Sequence, residues 1–144
     1  PAGTFLLNPA GFNHAPFSKE GCIIFVKLCQ FPGQGRDHVV IDSNAAEWQA
    51  AAPGVEELPL YSDDHYPEDI RLLRLSAGAA VPPALLSPEA APKGLEIFVI
   101  AGELANGEER AAAGAWIREP RGVSRPFAAT AETTIYLKRN HLAA

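Results

Sequence analysis

Two short turns in this chain share a skeleton and differ at the residue able to do chemistry. Pro9-Ala10-Gly11-Phe12-Asn13-His14 ends on an imidazole, whereas Pro120-Arg121-Gly122-Val123-Ser124-Arg125 ends on a guanidinium. An imidazole can ligate a divalent metal or carry a proton near neutral pH. A guanidinium keeps its charge and holds carboxylates instead. Taken alone, a histidine following a turn is an ordinary surface or hydrogen-bonded residue. Two other groups are weaker candidates. His65 lies among carboxylates in Ser62-Asp63-Asp64-His65-Tyr66-Pro67-Glu68-Asp69, which reads as an acidic, turn-rich, solvated loop in which nothing fixes ligand geometry. Cys22 and Cys29 fall an odd number of positions apart in a stretch that reads as strand. They would point to opposite faces, too far apart to bridge, and the simplest account is a reduced, cytoplasmic protein.

The two turns sit inside matched surroundings. At one constant offset Ala2 meets Ala113, Gly3 meets Gly114, Phe5 meets Trp116 and Leu6 meets Ile117. Beyond the turn, Ile24 meets Ile135, Phe25 meets Tyr136, Val26 meets Leu137 and Lys27 meets Lys138. So many matched columns imply an internal duplication whose unit is about 100 residues, the size of one domain. The chain then holds one complete unit, expected over residues 43–144, and the C-terminal half of a preceding one over residues 1–42.

Bulk properties narrow the class. The 144 residues suffice for one sizeable core. No apolar run approaches the roughly 18 residues of a membrane span, so a soluble protein is expected. No basic segment leads into an apolar stretch at the N-terminus, the pattern of a secretory signal. The net charge is −5 and the basic residues are dispersed. That argues against direct nucleic-acid binding, which needs a concentrated positive face.

The elements that must position these residues are strands. Thirteen prolines and no sustained helical periodicity argue against a bundle. Gly3 to Leu7 reads as a strand ended by Asn8-Pro9. Gly21 to Leu28, with Ile23, Ile24, Phe25 and Val26 in succession, reads as a strand buried on both faces. Val39 to Asp42 is a third strand. Asn44 to Ala52 has two readings, one or two helical turns capped by Ser43 or Asn44, or the entry to a strand beginning at Trp48. Pro53-Gly54 is a turn. Ile70 to Leu75, Glu96 to Ala101, Ala115 to Ile117 and Thr133 to Lys138 are the remaining strands, with glycines and prolines between them. The fold class is all-β, a small jelly-roll barrel.

Asn8-Pro9-Ala10-Gly11-Phe12-Asn13-His14-Ala15-Pro16, preceded by Gly3 and followed by Gly21-Cys22-Ile23-Ile24-Phe25-Val26-Lys27, resembles the second conserved motif of a cupin. It is closest to the ChrR-like anti-sigma cupins and the acetylacetone-dioxygenase-like cupins. The resemblance implies an RmlC-like β-barrel fold and covers nearly the whole chain as one and a half cupin units. It also implies a divalent metal, Zn, Fe or Ni, in the complete first unit, with His14 one of its ligands. A single imidazole does not hold a tight site, so His14 would need donors from residues missing here or from another chain.

Laid on the second unit, the cupin pattern leads from Gly78 through five residues to Ala84-Leu85-Leu86, so Ala84 and Leu86 stand at two histidine positions. Leu95 stands at the glutamate position and Arg125 at the third histidine position. Glu96 is one step from the right column, which turns its side chain to the other face. No metal is expected in this unit, where Arg125 would set a fixed charge at the ion's place. Two readings of the apolar replacements stay open. Ala84, Leu86 and Leu95 fill the barrel of a structural or dimerising unit, or they line a dry pocket in which Arg125 grips a ligand carboxylate.

Three functions follow from the resemblance. The first is the cupin part of a ChrR-like regulator whose full-length parent binds a sigma factor. The second is an iron-type cupin dioxygenase acting through the first unit. The third is a non-catalytic bicupin used for assembly or small-molecule binding. Because Gly3 to Leu28 would present open strand edges, a homo-oligomer or companion residues are also expected.

Overall fold

The computed structural model describes residues 2–28 and 35–142. The chain divides into two compact units, Pro1–Ala46 and Glu47–Ala144.

In the first unit β1 (Thr4–Leu7) pairs antiparallel with β2 (Val39–Asp42), Phe5 opposite Ile41. The pair is closed at one end by Gly3, whose φ of +83° suits glycine and whose carbonyl accepts the Ser43 N–H at 3.0 Å. The Asn44 side-chain amide donates to the Ala2 carbonyl at 2.8 Å. Asn8-Pro9 ends β1 as expected, and the Phe12 N–H returns to the Pro9 carbonyl at 3.1 Å.

The expected strand from Gly21 to Leu28 does not form. Those residues lie outside every strand, with Ile24 65% and Leu28 80% exposed. A strand exists through its ladder, and β1 and β2 already pair with each other. Cys22 is an exposed free thiol, and Cys29 lies outside the described residues.

The second unit is a two-layer sandwich. A six-stranded sheet runs in the order β3-β4-β5-β11-β6-β9 and faces a three-stranded sheet, β10-β7-β8. The larger sheet contains β3 (Gln49–Ala52), β4 (Val55–Asp63), β5 (Tyr66–Leu75), β6 (Leu95–Ala101), β9 (Trp116–Glu119) and β11 (Thr133–Arg139). The smaller contains β7 (Glu103–Asn106), β8 (Glu109–Ala112) and β10 (Ala128–Ala129). Every pairing is antiparallel. The two sheets do not close into a continuous barrel; the architecture is a jelly-roll sandwich.

Period-two alternation makes the core. Leu73 and Leu75 of β5, Ile135 and Leu137 of β11, and Leu95, Ile97 and Val99 of β6 all point inward against Leu104, Phe127 and Ala129. Each buried leucine, isoleucine, valine or phenylalanine among them contributes about 1.5–3 kcal/mol on leaving water.

Three stretches of the chain are decided here. Asn44 to Ala52 makes a single turn, the Ala46 N–H reaching the Asp42 carbonyl at 3.0 Å, and then enters β3. The strand reading therefore holds, and Trp48 stacks under the Arg74 guanidinium at 3.8 Å. Ser62 to Asp69 is mostly strand, because β4 and β5 form a hairpin in which Asp63 opposes Tyr66 and only Asp64-His65 turn. Ala84 and Leu86 lie on a one-turn helix, α1 (Pro83–Leu86). Pro82 and Pro83 explain this, since proline fits the start of a helix and cannot donate to a ladder. No helix among the described residues is long and apolar enough to cross a membrane.

Gly102 tests the β6–β7 corner. Its φ is +80°, and an added Cβ would strike the Glu132 carbonyl oxygen and the Thr133 Cα. Gly102→Ala should cost about 2–4 kcal/mol in urea unfolding, against about 1 kcal/mol for Gly107→Ala, where φ is +58° and nothing lies within 4 Å.

Candidate functional site

The inner face of the six-stranded sheet turns polar at one end. Pairing register aligns Asp69 of β5 with Arg139 of β11, Arg139 with Leu95 of β6, and Leu95 with Glu119 of β9. Directly opposed residues of antiparallel strands share a face. The row Asp69, Arg139, Leu95, Glu119 is therefore the last inward row before the core, with Leu95 separating two ionic clusters.

On one side Asp69 is held by two guanidiniums. Arg71 donates to it through Nε (2.9 Å) and Nη2 (2.6 Å), and Arg139 through Nε (3.1 Å) and Nη2 (3.0 Å). The Arg71 Nη1 reaches Glu57 at 2.5 Å. Partial burial works against the Asp69 carboxylate, but the hydrogen bonds and charges of Arg71 and Arg139 outweigh it and hold its pKa below the ordinary 3.8. The Arg71 pKa is raised in turn, the attraction of Asp69 and Glu57 outweighing the burial that lowers it.

On the other side stands Arg125. The Pro120–Gly122 turn, closed by the Val123 N–H on the Pro120 carbonyl at 3.1 Å, brings its guanidinium back onto the strand before it. Nε and Nη2 donate to Glu119 Oε1 at 2.8 and 2.5 Å, and Nη1 donates to Glu109 Oε2 at 2.9 Å. The Glu119 side chain is only 3% exposed, that of Arg125 39%. The guanidinium carbon also lies 5.6 Å from the Phe127 ring. Hydrogen bonding to Glu119 raises the Arg125 pKa.

The sequence-derived residues divide accordingly. Leu95 and Leu86 are core, and Ala84 on α1 is exposed. The grouping of Arg125, Ala84, Leu86 and Leu95 as one pocket lining loses Ala84 for that reason. Arg125 is committed to two carboxylates of its own chain. Glu96 turns to the opposite face of β6, as expected, where it accepts from Trp116 Nε1 at 3.2 Å and lies 3.1 Å from His141 Nε2. His65 is 88% exposed and its Nδ1 lies 3.2 Å from Asp63 Oδ1. In the first unit His14 is exposed, with Nδ1 3.4 Å from the Asn8 amide nitrogen. Phe12 lies 6.2 Å from the His14 ring and stacks on His38 at 4.2 Å.

Sequence reasoning passed over Asp69, Arg71, Arg139 and Glu119. The available signal was phase, for Asp69-x-Arg71-x-Leu73-x-Leu75 puts two charges in step with two core leucines. His38 had no comparable signal.

The four ligand columns of the second unit do not fit a divalent cation. Ala84, Leu86 and Leu95 offer no donor atom in their side chains, and Arg125 is itself cationic. Among the described residues no group of three or more His, Cys, Asp or Glu side chains is placed to hold a metal.

The second unit is an all-β jelly roll in which the Pro120-Arg121-Gly122 turn follows β9, the architecture of a cupin. The chain belongs to the ChrR cupin-like domain family, whose model matches residues 36–143. Among solved structures it is similar to a chain in the complex of Rhodobacter sphaeroides SigE with the anti-sigma ChrR. That match has 20% identity, 68% of this chain and 51% of that one covered, and a TM-score of 0.55. It is also similar to an acetylacetone dioxygenase from Acinetobacter johnsonii (15% identity, 80% of both chains, TM-score 0.58) and to KdgF from a Halomonas species (18% identity, 67% of this chain and 88% of that one, TM-score 0.53). At these identities the likeness is one of fold. The chain spans about half the length of the first of these structures (51%). No curated protein matches the sequence.

The Asp69 cluster has a pH signature. A carboxylate whose folded pKa is depressed contributes stability in full above its unfolded pKa of about 3.9 and loses it as pH falls through the folded value. Asp69→Asn should therefore cost about 2 kcal/mol at neutral pH and flatten the loss of stability on acidification below about pH 4, measured by urea unfolding across the acid range.

Proposed function

We propose that the chain is the cupin portion of a regulator resembling ChrR, built as a bicupin with any metal in the first unit and a metal-free second unit. The match to the ChrR cupin-like family over residues 36–143 carries this reading. It is supported by the columns of the second unit, where Ala84, Leu86, Leu95 and Arg125 leave no donor set for oxygen chemistry. Residues 1–42 are then the C-terminal half of the first cupin, in which His14 contributes one imidazole to a Zn, Fe or Ni site completed by other residues. A sigma factor is the partner of the full-length parent, and the setting is cytoplasmic.

The competing reading is a dioxygenase acting through the first unit, and one measurement separates them. Supplied with iron(II) and acetylacetone in an oxygen electrode, a protein that carries the whole first unit should consume no more oxygen than the iron alone. Steady uptake that disappears in His14→Ala would make it an enzyme instead.

Self-association is part of the same proposal, because Ile23, Ile24, Val26 and Leu28 are exposed in a run whose counterpart, β11, is an interior strand. Sedimentation equilibrium should find a dimer or larger species, and the double substitution Ile23→Ser/Ile24→Ser should shift it toward monomer.

A further inference from the structure

The internal repeat places Arg125 where the first copy has His14, and the structure surrounds that guanidinium with two carboxylates from different strands. Glu119 comes from β9 of the six-stranded sheet and Glu109 from β8 of the three-stranded sheet. Arg125 donates to both, at 2.5–2.9 Å. The Glu119 side chain is almost wholly withdrawn from water, and a counter-charge beside it offsets the cost of that desolvation. A divalent cation ligated by both carboxylates would do the same and join the two layers at their edge.

We infer that Arg125 is a built-in cation, bridging Glu119 and Glu109 across the two layers of the second unit in place of a bound divalent metal. The arrangement differs from a metal centre in a useful respect. Its cation is covalently attached and cannot be chelated or exchanged, so this unit stays folded whatever the metal supply. Replacing the guanidinium by an imidazole, as in the first copy of the repeat, would leave one nitrogen and two carboxylates converging on the same space. Those are three donors of the type that hold Zn²⁺.

The test uses the whole chain carrying His14→Ala, which removes the other candidate imidazole. This protein, dialysed against Zn²⁺ and desalted, should retain only trace metal, and its unfolding temperature should not change with a chelator. Adding Arg125→His should give uptake of about one Zn²⁺ per chain and a chelator-sensitive unfolding temperature. Adding Arg125→Gln should give no uptake and lower the unfolding temperature by about 5 °C, with most of the loss recovered when Glu119→Gln is combined with it. Stoichiometric Zn²⁺ in the protein that keeps Arg125, a chelator effect on its unfolding, or uptake by Arg125→His no greater than by Arg125→Gln would each overturn the inference. If Arg125→His fails to fold, the chelator melt of the protein that keeps Arg125 decides alone.

Discussion

The second unit depends on one conflict, between a sheet face that must be apolar to bury itself and a row of charges on that same face. Leu73, Ile135, Ile97 and Val99 are withdrawn from water between the layers. One end of the same strands carries Asp69, Arg139 and Glu119 in the next inward register. An isolated charge there would cost several kcal/mol. Every one of these three residues is therefore found in an ion pair, and the pairs are multidentate on the arginine side. Arginine suits the task because its fork reaches two carboxylate oxygens or two carboxylates at once.

The two clusters flanking Leu95 are not equivalent. Asp69, Arg71, Arg139 and Glu57 all belong to the six-stranded sheet, so their network stiffens one layer. Arg125 reaches Glu119 in that sheet and Glu109 in the other, so its bonds span the sandwich. The first resembles the ionic trim of many sheet ends. The second lies at the position where the repeat supplies an imidazole in the other copy, and it is the cluster in which a change of residue type changes the chemistry available. Exposure separates them too: Glu109 is largely in water and contributes little, whereas Glu119 is not.

Much of this was legible in the chain itself. The strands Ile70 to Leu75, Glu96 to Ala101 and Thr133 to Lys138 declare themselves by alternation, and the shared turn skeleton locates Arg125 without any structure. What could not be read were features decided by distant partners. The hairpin through Ser62 to Asp69 looks like a loop because its polar residues mask the ends of two strands that pair with each other, Ser62 opposite Asp69 and Asp63 opposite Tyr66. Ala84 and Leu86 follow two prolines, which favour a helical turn at that point. The carboxylates around Arg125 come from positions that spacing alone does not relate to it.

The segment from Gly21 to Leu28 marks the limit of pattern reading most clearly. It matches the centre of β11 in kind, Ile24 with Ile135, Phe25 with Tyr136, Val26 with Leu137 and Lys27 with Lys138. In the second unit that pattern becomes an interior strand bonded to β5 on one side and β6 on the other. In the first it forms no strand and leaves Ile24 and Leu28 in solvent. The four matched residues favour a strand in both places, so their propensity alone does not decide the outcome. Strand formation is a property of the ladder, because an extended backbone gains its hydrogen bonds only from neighbours and an apolar side chain gains free energy only from something to pack against. A shared four-residue pattern with two outcomes in one chain separates those contributions: sequence supplies the candidate, and the presence of flanking strands decides whether it is realised.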